Sequence, residues 1–451
     1  MKITVHGAAR EVTGSCYRIE TAKTRLILDC GLFQGTQFSE AKNLRPFGFD
    51  ASTVDAAIIT HAHLDHVGRL PKLVHEGFKG KVFCTRPTKV MSRIILEDAF
   101  QIMTEGHQLD GKPMFYEEPD LIRSTRSMQG MDYSKWKTIG DLRFRFRDAG
   151  HIFGSAFVEI EEKGGPRVVF SGDIGNIDTP ILRPTAQSFA SDVTFIESTY
   201  GNRIHEDPGV RDQMLKDAVA QTARNRGILL IPAFAIERTQ ALLYNLHNWM
   251  EEGSIPKIPV YLDSPLAIRM SDVVKAYPEY YDREASQLVM HGEDFFDFPS
   301  LEITMTREES KTINEAKPPK VIIAGSGMMN GGRILHHLVR YLGKKGTTLF
   351  IVGFQASGTL GRRLYSGERH VEVLGQMIEV KANIVSCGGY SAHGDQHKLV
   401  NWIKGAKSLP KHVYCMHGEE EIAAALASRI TEELKIATDV PRLDETLAID
   451  S

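Results

Sequence analysis

The chain is poor in cysteine and in long apolar runs, and each shortage excludes a class of protein. Five Cys in 451 residues, with no C-x-x-C pair, argue against a disulfide framework and favour a reducing, cytoplasmic location. No apolar run approaches the length of a membrane span, which is about 18 residues. The first residues, MKITVHGAAREVTG, lack the apolar core of a secretory signal, so we expect no membrane partner.

The chain also lacks an excess of charge of either sign. Its 54 Lys and Arg against 57 Asp and Glu give a formal charge of -3, which excludes a strongly cationic nucleic-acid binder but allows a local basic groove. Hydrophobic residues at 42% and charged residues at 25% are typical of globular proteins. At about 150 residues per domain, the length predicts two or three domains.

The pattern of predicted elements changes near residue 200. Before it, short runs rich in Val, Ile and Leu alternate with turns, which indicates strands. After it, strands and helices alternate, for example near residues 210–224, 228–232 and 239–252. This alternation predicts an α/β fold with a mostly parallel sheet. No linker-like or repetitive segment accompanies the change.

The strongest chemical signal is the segment His61-Ala62-His63-Leu64-Asp65-His66, directly after the apolar run AAIIT. It places three of the 17 His and one Asp within six positions. Imidazole and carboxylate groups suit zinc and related divalent ions. A loop between a strand and a helix can turn these side chains toward one point, so the segment predicts a metal site.

Four ligands from one short loop rarely complete a tetrahedral site, so further ligands are expected at other strand ends. The candidates that directly follow apolar runs are Asp29, His151, Asp173 and His417. Each one alone could be a turn residue or could cap a strand. Four such placements together favour a shared site.

These motifs resemble those of a known family. The segments LDCG, HAHLDH, AGHIFGS and FSGDIG, in this order, resemble the metallo-β-lactamase superfamily. FIESTYGN, GGYSAHGDQ and MHGEE resemble the further motifs of its β-CASP branch, as do PAFAIERTQ, LDSPLA, SGMMNGGR and GFQASGTLGRR. The resemblance covers essentially the whole chain. It is strongest to the RNA-processing members, among them the endonuclease subunit of the cleavage and polyadenylation specificity factor and its prokaryotic relatives.

The resemblance implies an αββα sandwich with an inserted α/β domain, the β-CASP domain. On this basis residues 1–202 form the first part of the metallo-β-lactamase domain, and residues 386–451 form its C-terminal part. Residues 203–385 form the inserted domain, which is consistent with the change of pattern near residue 200.

The resemblance also implies two Zn²⁺ ions and assigns their ligands. The first zinc takes His61, His63 and His151. The second takes Asp65, His66 and His417, and Asp173 bridges both. Asp29 would orient ligands through hydrogen bonds rather than bind metal.

The implied activity is hydrolysis of phosphodiester bonds in single-stranded RNA, mainly as an endonuclease, with 5′-3′ exonuclease activity left open. A hydroxide bridging the two metals would attack, leaving a 5′-phosphate and a 3′-OH. His393 would be the general acid, and Glu197 would hold its ring and raise its pKa. Asp65 is counted with these two as catalytic. The resemblance also allows a homodimer.

Glycine-rich turns and residues after strands in the inserted domain are candidates for contacts to RNA phosphates. The expected contacts are Ser264, Gly325, Ser326, Gly327, Arg333 and Arg238. The alternative for each Gly-rich segment is a tight turn that closes a strand–helix unit. Glu237 stands where the family usually has a small residue, which weakens the expectation for Arg238.

Three other functions remain open. A DNA nuclease of the same branch is disfavoured by His417, because those members carry an apolar residue there. A small-ester hydrolase is disfavoured by His393 and by the long insertion. A non-catalytic RNA-processing scaffold is disfavoured because all seven ligand positions hold ligand-competent residues.

Overall fold

The structure is a computed structural model that describes residues 1–35, 40–353, 355–356 and 358–450. It divides into two compact units. The first unit contains Met1–Ile177, Pro184–Ile204 and His393–Ser451, and the second contains Asp178–Arg183 and His205–Ala392. Part of the GFQASGTLGRR motif lies outside the described residues, because Phe354 and Ser357 are not among them.

One seven-stranded sheet of the first unit has the strand order β22-β1-β2-β3-β4-β5-β6. Its strands are β1 (Lys2–Gly7), β2 (Cys16–Glu20), β3 (Arg25–Leu28), β4 (Ala56–Ile58), β5 (Lys81–Thr85), β6 (Met128–Met131) and β22 (Thr446–Ala448). Along β1, Ile3 and Val5 are buried and alternate with more exposed residues, because successive side chains of a strand point to opposite faces.

The second seven-stranded sheet of this unit has the order β21-β20-β11-β10-β9-β8-β7. Its strands are β7 (Lys137–Ile139), β8 (Leu142–Asp148), β9 (Ala156–Glu162), β10 (Arg167–Phe170), β11 (Val193–Glu197), β20 (His412–Met416) and β21 (Ala437–Asp439). Strand β11 pairs in parallel with β10 and β20 and is buried along its whole length, as expected for a central parallel strand.

The two sheets pack face to face, and helices cover their outer faces. The core between the sheets joins side chains such as Ile3 and Leu28 to Phe144 and Phe170. A second core lies between the first sheet and α1 (Leu64–Val67), α2 (Leu70–His75), α3 (Arg86–Asp110) and α4 (Glu118–Ser127). A third core lies between the second sheet and α12 (Gln396–Lys404) and α13 (Glu420–Leu434). These four layers are the αββα sandwich expected from the sequence.

The second unit is built on a six-stranded sheet of order β14-β13-β15-β12-β16-β19, in which every pairing is parallel. Its strands are β12 (Ile228–Pro232), β13 (Val260–Asp263), β14 (Leu301–Ile303), β15 (Lys320–Ala324), β16 (Thr347–Ile351) and β19 (Asn383–Ser386). A separate antiparallel pair consists of β17 (His370–Val373) and β18 (Gln376–Glu379). The mostly parallel sheet predicted after residue 200 is therefore present.

Seven α-helices are described in this unit. They are α5 (Pro208–Arg224), α6 (Arg238–Glu251), α7 (Pro265–Ala276), α8 (Arg283–Met290), α9 (Arg307–Thr312), α10 (Ile334–Tyr341) and α11 (Leu360–Tyr365). Within the described ranges of the whole chain, no helix is both long and apolar enough to span a lipid bilayer.

Candidate metal centre

The HAHLDH segment follows strand β4 and runs into the short helix α1. His61 and His63 precede the helix, and Asp65 and His66 lie inside it. The backbone is packed closely here, because a Cβ atom at Gly31 would lie 1.6 Å from the carbonyl oxygen of Asp65. Glycine at position 31 therefore permits the approach that fixes the turn.

Three histidines form the first ligand group, which we call the three-histidine group: His61, His63 and His151. His63 Nδ1 lies 3.2 Å from His61 Nε2 and 3.2 Å from His151 Nε2. His61 and His151 are completely buried. His151 reaches the group from the loop between β8 and β9, 85 or more positions after the HAHLDH segment.

Asp65, His66 and His417 form the second ligand group, which we call the mixed group. His66 Nε2 lies 3.0 Å from His417 Nε2, and His417 Nε2 lies 3.4 Å from Asp65 Oδ2. His417 follows strand β20 directly and has a φ of 52°. A positive φ is uncommon for a residue other than glycine, and such conformations cluster at functional sites.

Asp173 lies between the two groups. Its Oδ2 is 3.4 Å from both His61 Nε2 and His151 Nε2, and its Oδ1 is 3.3 Å from His66 Nε2. The residue is 1% exposed, and among the described residues neither carboxylate oxygen has a hydrogen-bond partner. A buried carboxylate without hydrogen bonds is costly unless a cation compensates it.

The donor set fits metal ions. Ligand atoms around a tetrahedral zinc with bonds of about 2.0–2.1 Å lie about 3.3 Å apart. The neighbouring atoms of the three-histidine group and Asp173 Oδ2 are 3.2–3.4 Å apart. Each ring nitrogen there faces another nitrogen or a carboxylate oxygen. A cation can bind all of these lone pairs at once, whereas protons shared between pairs of atoms cannot. These four side chains, and separately the mixed group, each place one ligand atom per residue within 4.8 Å of the others.

The two groups differ in the pKa of their imidazoles. Burial lowers the pKa of His61, His63 and His151, and that of His63 falls to about 3. These rings are neutral at pH 7 and offer lone pairs to a metal. Burial also disfavours the charged form of His66 and His417, but nearby carboxylates, Asp173 foremost, outweigh it and raise both pKa values. A metal ion at the mixed group therefore competes with protons for these two imidazoles.

Asp29 and Thr60 support ligands from both groups. Asp29 Oδ2 accepts a hydrogen bond from His66 Nδ1 at 2.7 Å, and the Thr60 hydroxyl donates to the same oxygen at 2.9 Å. Thr60 Oγ1 also lies 3.0 Å from His61 Nδ1. These contacts occupy the Nδ1 atoms and direct the Nε2 atoms of His61 and His66 toward Asp173. The sequence predicted Asp29 in such a role but not Thr60.

Thr199 supports His417 in the same way. Its hydroxyl lies 3.3 Å from His417 Nδ1 and 3.2 Å from the carbonyl oxygen of His417. The residue is 1% exposed. The FIESTYGN motif pointed to Glu197 and gave no sign of Thr199, because a buried threonine after a strand is common.

His393 and Glu197 form a pair beside this cluster. His393 Nδ1 is 3.0 Å from Glu197 Oε2 and 3.8 Å from Asp173 Oδ2, and its ring centroid is 4.5 Å from that of His151. Glu197 is held in turn by the backbone N–H of Ile174, which donates to Oε1 at 2.7 Å. Burial opposes protonation of His393, but the Glu197 carboxylate outweighs it and raises the pKa to about 9.

The predicted RNA contacts lie in the second unit. Ser264 follows β13, where its hydroxyl caps helix α7 by accepting from the backbone N–H of Ala267. Gly325, Ser326 and Gly327 follow β15. Carboxyl ends of parallel strands meet at one sheet edge, so these residues share the edge where α/β folds usually bind ligands.

The two predicted arginine contacts are occupied by protein groups. The guanidinium of Arg333 donates to Asp263 Oδ1 at 2.7 Å and to the carbonyl oxygen of Thr304 at 2.9 Å. Arg238 is 4% exposed and lies 3.1 Å from the Glu237 carboxylate. Glu237 has a φ of 69°, which explains why glycine suits this position.

Asp263 organises this edge of the second unit. It is completely buried, and besides Arg333 it accepts hydrogen bonds of 2.7 Å from His337 Nε2, Thr304 Oγ1 and Ser310 Oγ. Burial alone would raise the pKa of Asp263, but these donors, led by His337, lower it below its usual range. Its pairing therefore contributes stability above the unfolded pKa of about 4 that is lost as pH falls through the folded pKa.

The substitution Asp263→Asn should destabilise the second unit. It leaves the half-buried Arg333 without its counter-charge, and breaking a buried pair in this way costs about 3–5 kcal/mol. Urea unfolding, followed by a probe of this unit, measures the loss of unfolding free energy. Asp272→Asn, at an exposed position of helix α7, is the control and should be neutral. Equal stability of the two variants would contradict the role of Asp263.

The fold and the cluster together define a metal-dependent hydrolase. Comparisons with protein families agree. The metallo-β-lactamase superfamily matches residues 9–203, and the β-CASP domain matches residues 239–364. The Zn-dependent metallo-hydrolase RNA specificity domain matches residues 377–441.

Individual relatives are similar over nearly the whole chain. Ribonuclease TTHA0252 of Thermus thermophilus is 39% identical over 426 residues, covering 94% of this chain and 95% of the relative. The RNase J-like protein of Methanocaldococcus jannaschii is 32% identical and covers 97% of each chain. Transcription termination factor FttA of Methanosarcina mazei is 31% identical, covering 97% of this chain and 70% of that protein.

A solved structure shows the same fold. The crystal structure of a protein of unknown function from Enterococcus faecalis V583 has a TM-score of 0.56 and covers 99% of both chains at 12% identity. The family matches and the similarity to Ribonuclease TTHA0252 show that the chain belongs to the β-CASP ribonuclease branch of the metallo-β-lactamase superfamily. It is a hydrolytic nuclease, as predicted, and the match over residues 377–441 adds an RNA-specificity domain that was not predicted.

Proposed function

We propose that this protein is a zinc-dependent ribonuclease that hydrolyses single-stranded RNA, mainly as an endonuclease, and leaves 5′-phosphate and 3′-OH ends. The observation that carries the proposal is the position of the His393–Glu197 pair. Its ring nitrogen lies 3.8 Å from Asp173, the carboxylate shared by both ligand groups. An acid beside a metal cluster is what cleavage of a phosphodiester bond requires.

Two zinc ions are the proposed cofactors. His61, His63 and His151 would hold one, Asp65, His66 and His417 the other, and Asp173 would serve both. Such ions supply charge neutralisation for the phosphodiester and lower the pKa of water toward neutrality. Asp29, Thr60 and Thr199 keep the imidazoles oriented toward this centre.

His393 provides the proton for the leaving oxygen. Glu197 occupies Nδ1 of the ring, so Nε2 is the atom that delivers the proton. With a pKa near 9, the ring is protonated at neutral pH. Protonation of the 3′ oxygen as the bond to phosphorus breaks leaves a 3′-OH on one product and the phosphate on the 5′ end of the other.

Glu197→Gln should move the pH dependence of cleavage. The neutral amide no longer stabilises the imidazolium, so the pKa of His393 falls and the acid loses its proton at lower pH. The alkaline limb of the kcat profile should therefore move down by about 1–3 pH units. Initial rates measured between pH 6 and 10 test this. Glu432→Gln, at an exposed carboxylate of helix α13, should leave the limb unchanged, and an unchanged limb in Glu197→Gln would refute the pairing.

The inserted domain, residues 203–385, is proposed to bind the RNA strand. Ser264 and the Gly325–Gly327 turn lie at the carboxyl edge of its sheet, where backbone N–H groups can bind phosphates. Arg238 and Arg333 remain proposed contacts, although their guanidinium groups already have carboxylate partners. The proposal also includes a cytoplasmic location and a homodimer. Light scattering measures the molar mass and so tests the homodimer.

The substrate is tested with single-stranded RNA and DNA of the same sequence. Labelled single-stranded RNA and DNA are incubated separately with the zinc-loaded protein, and the product ends are mapped. We expect cleavage of RNA with 5′-phosphate ends. Cleavage of DNA at an equal rate would favour the alternative of a DNA nuclease, and cleavage of neither by a folded protein that holds zinc would favour a scaffold.

A further inference from the structure

A cluster of cations lies at the amino-terminal edge of the second unit's sheet, opposite the edge that carries Ser264 and Gly325. We call it the basic rim, and it consists of Arg224, Arg226, Lys317, Lys320, Arg340, Lys344 and Lys345. None of these residues belongs to the candidate metal centre or to the predicted RNA contacts.

The parallel sheet brings these cations together. Ile228 at the start of β12 pairs with Lys320 at the start of β15 and with Thr347 at the start of β16. The loops before these strands are also bonded, because the N–H of Ile228 donates to the Gly346 carbonyl at 3.0 Å and that of Lys320 donates to the Gly227 carbonyl at 3.3 Å. Adjacent strands lie about 4.8 Å apart, so the three loops form one continuous edge.

Three of the cations converge on one aromatic ring. Lys320 Nζ lies 5.4 Å, Lys344 Nζ 5.0 Å and the Arg340 guanidinium 5.9 Å from the centroid of Tyr341. Lys320 is buried, and its Nζ donates to the Ala316 carbonyl at 2.8 Å. Burial, followed by the charges of Arg340 and Lys344, lowers its pKa to about 8.

Among the described residues, the rim has few acidic neighbours. The six cations other than Lys320 are exposed, and none of them forms an ion pair with a described carboxylate. Glu315 is an exposed carboxylate on the loop that carries Lys317. Glu379 lies 2.7 Å from Lys381, and its pKa is lowered mainly by Lys381 and to a smaller extent by the charge of Lys345. The excess of cations over carboxylates along this edge creates a local positive potential in a chain whose net charge is -3.

We propose that the basic rim is an additional binding site for the RNA backbone, away from the bond that is cut. The proposal rests on RNA being the substrate. A strand of five residues spans about 16 Å, so the rim is separated by this length from the predicted contacts at the other edge. Tyr341 is 3% exposed and offers no face for base stacking, so the rim recognises phosphates without regard to sequence.

A linear polyanion suits the rim better than an acidic protein segment does. The cations lie on the three loops that precede β15, β12 and β16 or at the ends of the elements beside these loops, and no large hydrophobic residue in these described segments is exposed. Protein interfaces usually have an apolar or aromatic centre, whereas phosphate contacts need only charge. The experiment must therefore distinguish binding of RNA from binding of an acidic polypeptide.

The test is a triple variant, Lys317→Gln, Lys344→Gln and Lys345→Gln. Binding to cleavage-resistant phosphorothioate RNA is followed by fluorescence anisotropy at several salt concentrations. One RNA is about 30 nucleotides long and the other about 6, which is near the footprint of a single groove. The variant should bind the long RNA about 10- to 100-fold more weakly at about 0.1 M salt, and its salt slope should fall by about 2. The short RNA should bind unchanged.

The matched control replaces Lys2, Lys23 and Lys79 with Gln, which removes three exposed charges from the first unit. If the wild-type chain cleaves RNA but the rim variant binds the long RNA as tightly as this control does, the rim proposal is overturned and the proposed function is not. Poly-glutamate is the acidic polypeptide in the same binding assay. A rim variant that keeps its RNA binding but loses poly-glutamate binding would also overturn the rim proposal. A wild-type chain that neither binds nor cleaves RNA would overturn the proposed function as well.

Discussion

The Asp173→Ala variant is expected to lose bound metal and almost all activity. Asp173 contacts His61, His151 and His66 at 3.3–3.4 Å, so its loss removes the carboxylate shared by both ligand groups. Metal ions supply several kcal/mol of transition-state stabilisation. Since 1.36 kcal/mol changes a rate tenfold, kcat/KM for RNA should fall about 10³-fold or more.

Elemental analysis after dialysis measures the metal, and cleavage of labelled RNA measures the rate. The control is Glu432→Ala, which removes an exposed carboxylate from the same unit and should keep both. Circular dichroism shows whether each variant is folded. A folded Asp173→Ala protein that retains two ions and wild-type cleavage would contradict the shared role of this carboxylate.

The His393→Ala variant is expected to keep its metal and lose most cleavage. The ring pairs with Glu197 and belongs to neither ligand group, so its removal should not release ions. General acid catalysis contributes about 10²–10⁴-fold, and kcat should fall by that factor. His397→Ala, four residues along the chain and exposed, is the control and should behave as wild type.

A modified substrate identifies the role of the proton. In RNA with sulfur in place of the bridging 3′ oxygen, the leaving thiolate needs no acid. His393→Ala should cleave this linkage at nearly the wild-type rate, while Asp173→Ala should not. An equal defect of His393→Ala on both linkages would mean that the ring positions the substrate instead of donating a proton.

The sequence predicted the candidate metal ligands better than it predicted the residues that hydrogen-bond to those ligands. HAHLDH, His151, Asp173 and His417 all follow apolar strands, and parallel strand ends meet at one edge, so their convergence could be expected. Thr60 and Thr199 were not predicted, because a threonine near a strand end is common and its hydroxyl orientation depends on tertiary packing. Arg333 was predicted as an RNA contact, but its ion pair with Asp263 was not, because the two residues are distant in the sequence.

The fold was predictable where elements repeat and less so where they are short and polar. The αββα sandwich and the parallel sheet were expected and are present. The helices Glu118–Ser127 and Arg283–Met290 were not predicted, because both have few buried apolar residues among many charged ones. Helix α3, Arg86–Asp110, has clearer sequence signals at its ends, because the Thr85 side chain caps its start and Gly111, with a φ of 65°, ends it.

Anomalous X-ray diffraction from zinc-containing crystals tests the central claim most directly, because it locates ions without relying on activity. The account predicts two zinc peaks about 3.5–4 Å apart, one among His61, His63 and His151 and the other among Asp65, His66 and His417, with Asp173 touching both. Zinc bound only by other residues, or a zinc-saturated protein that cleaves RNA with no ion at these side chains, would contradict it.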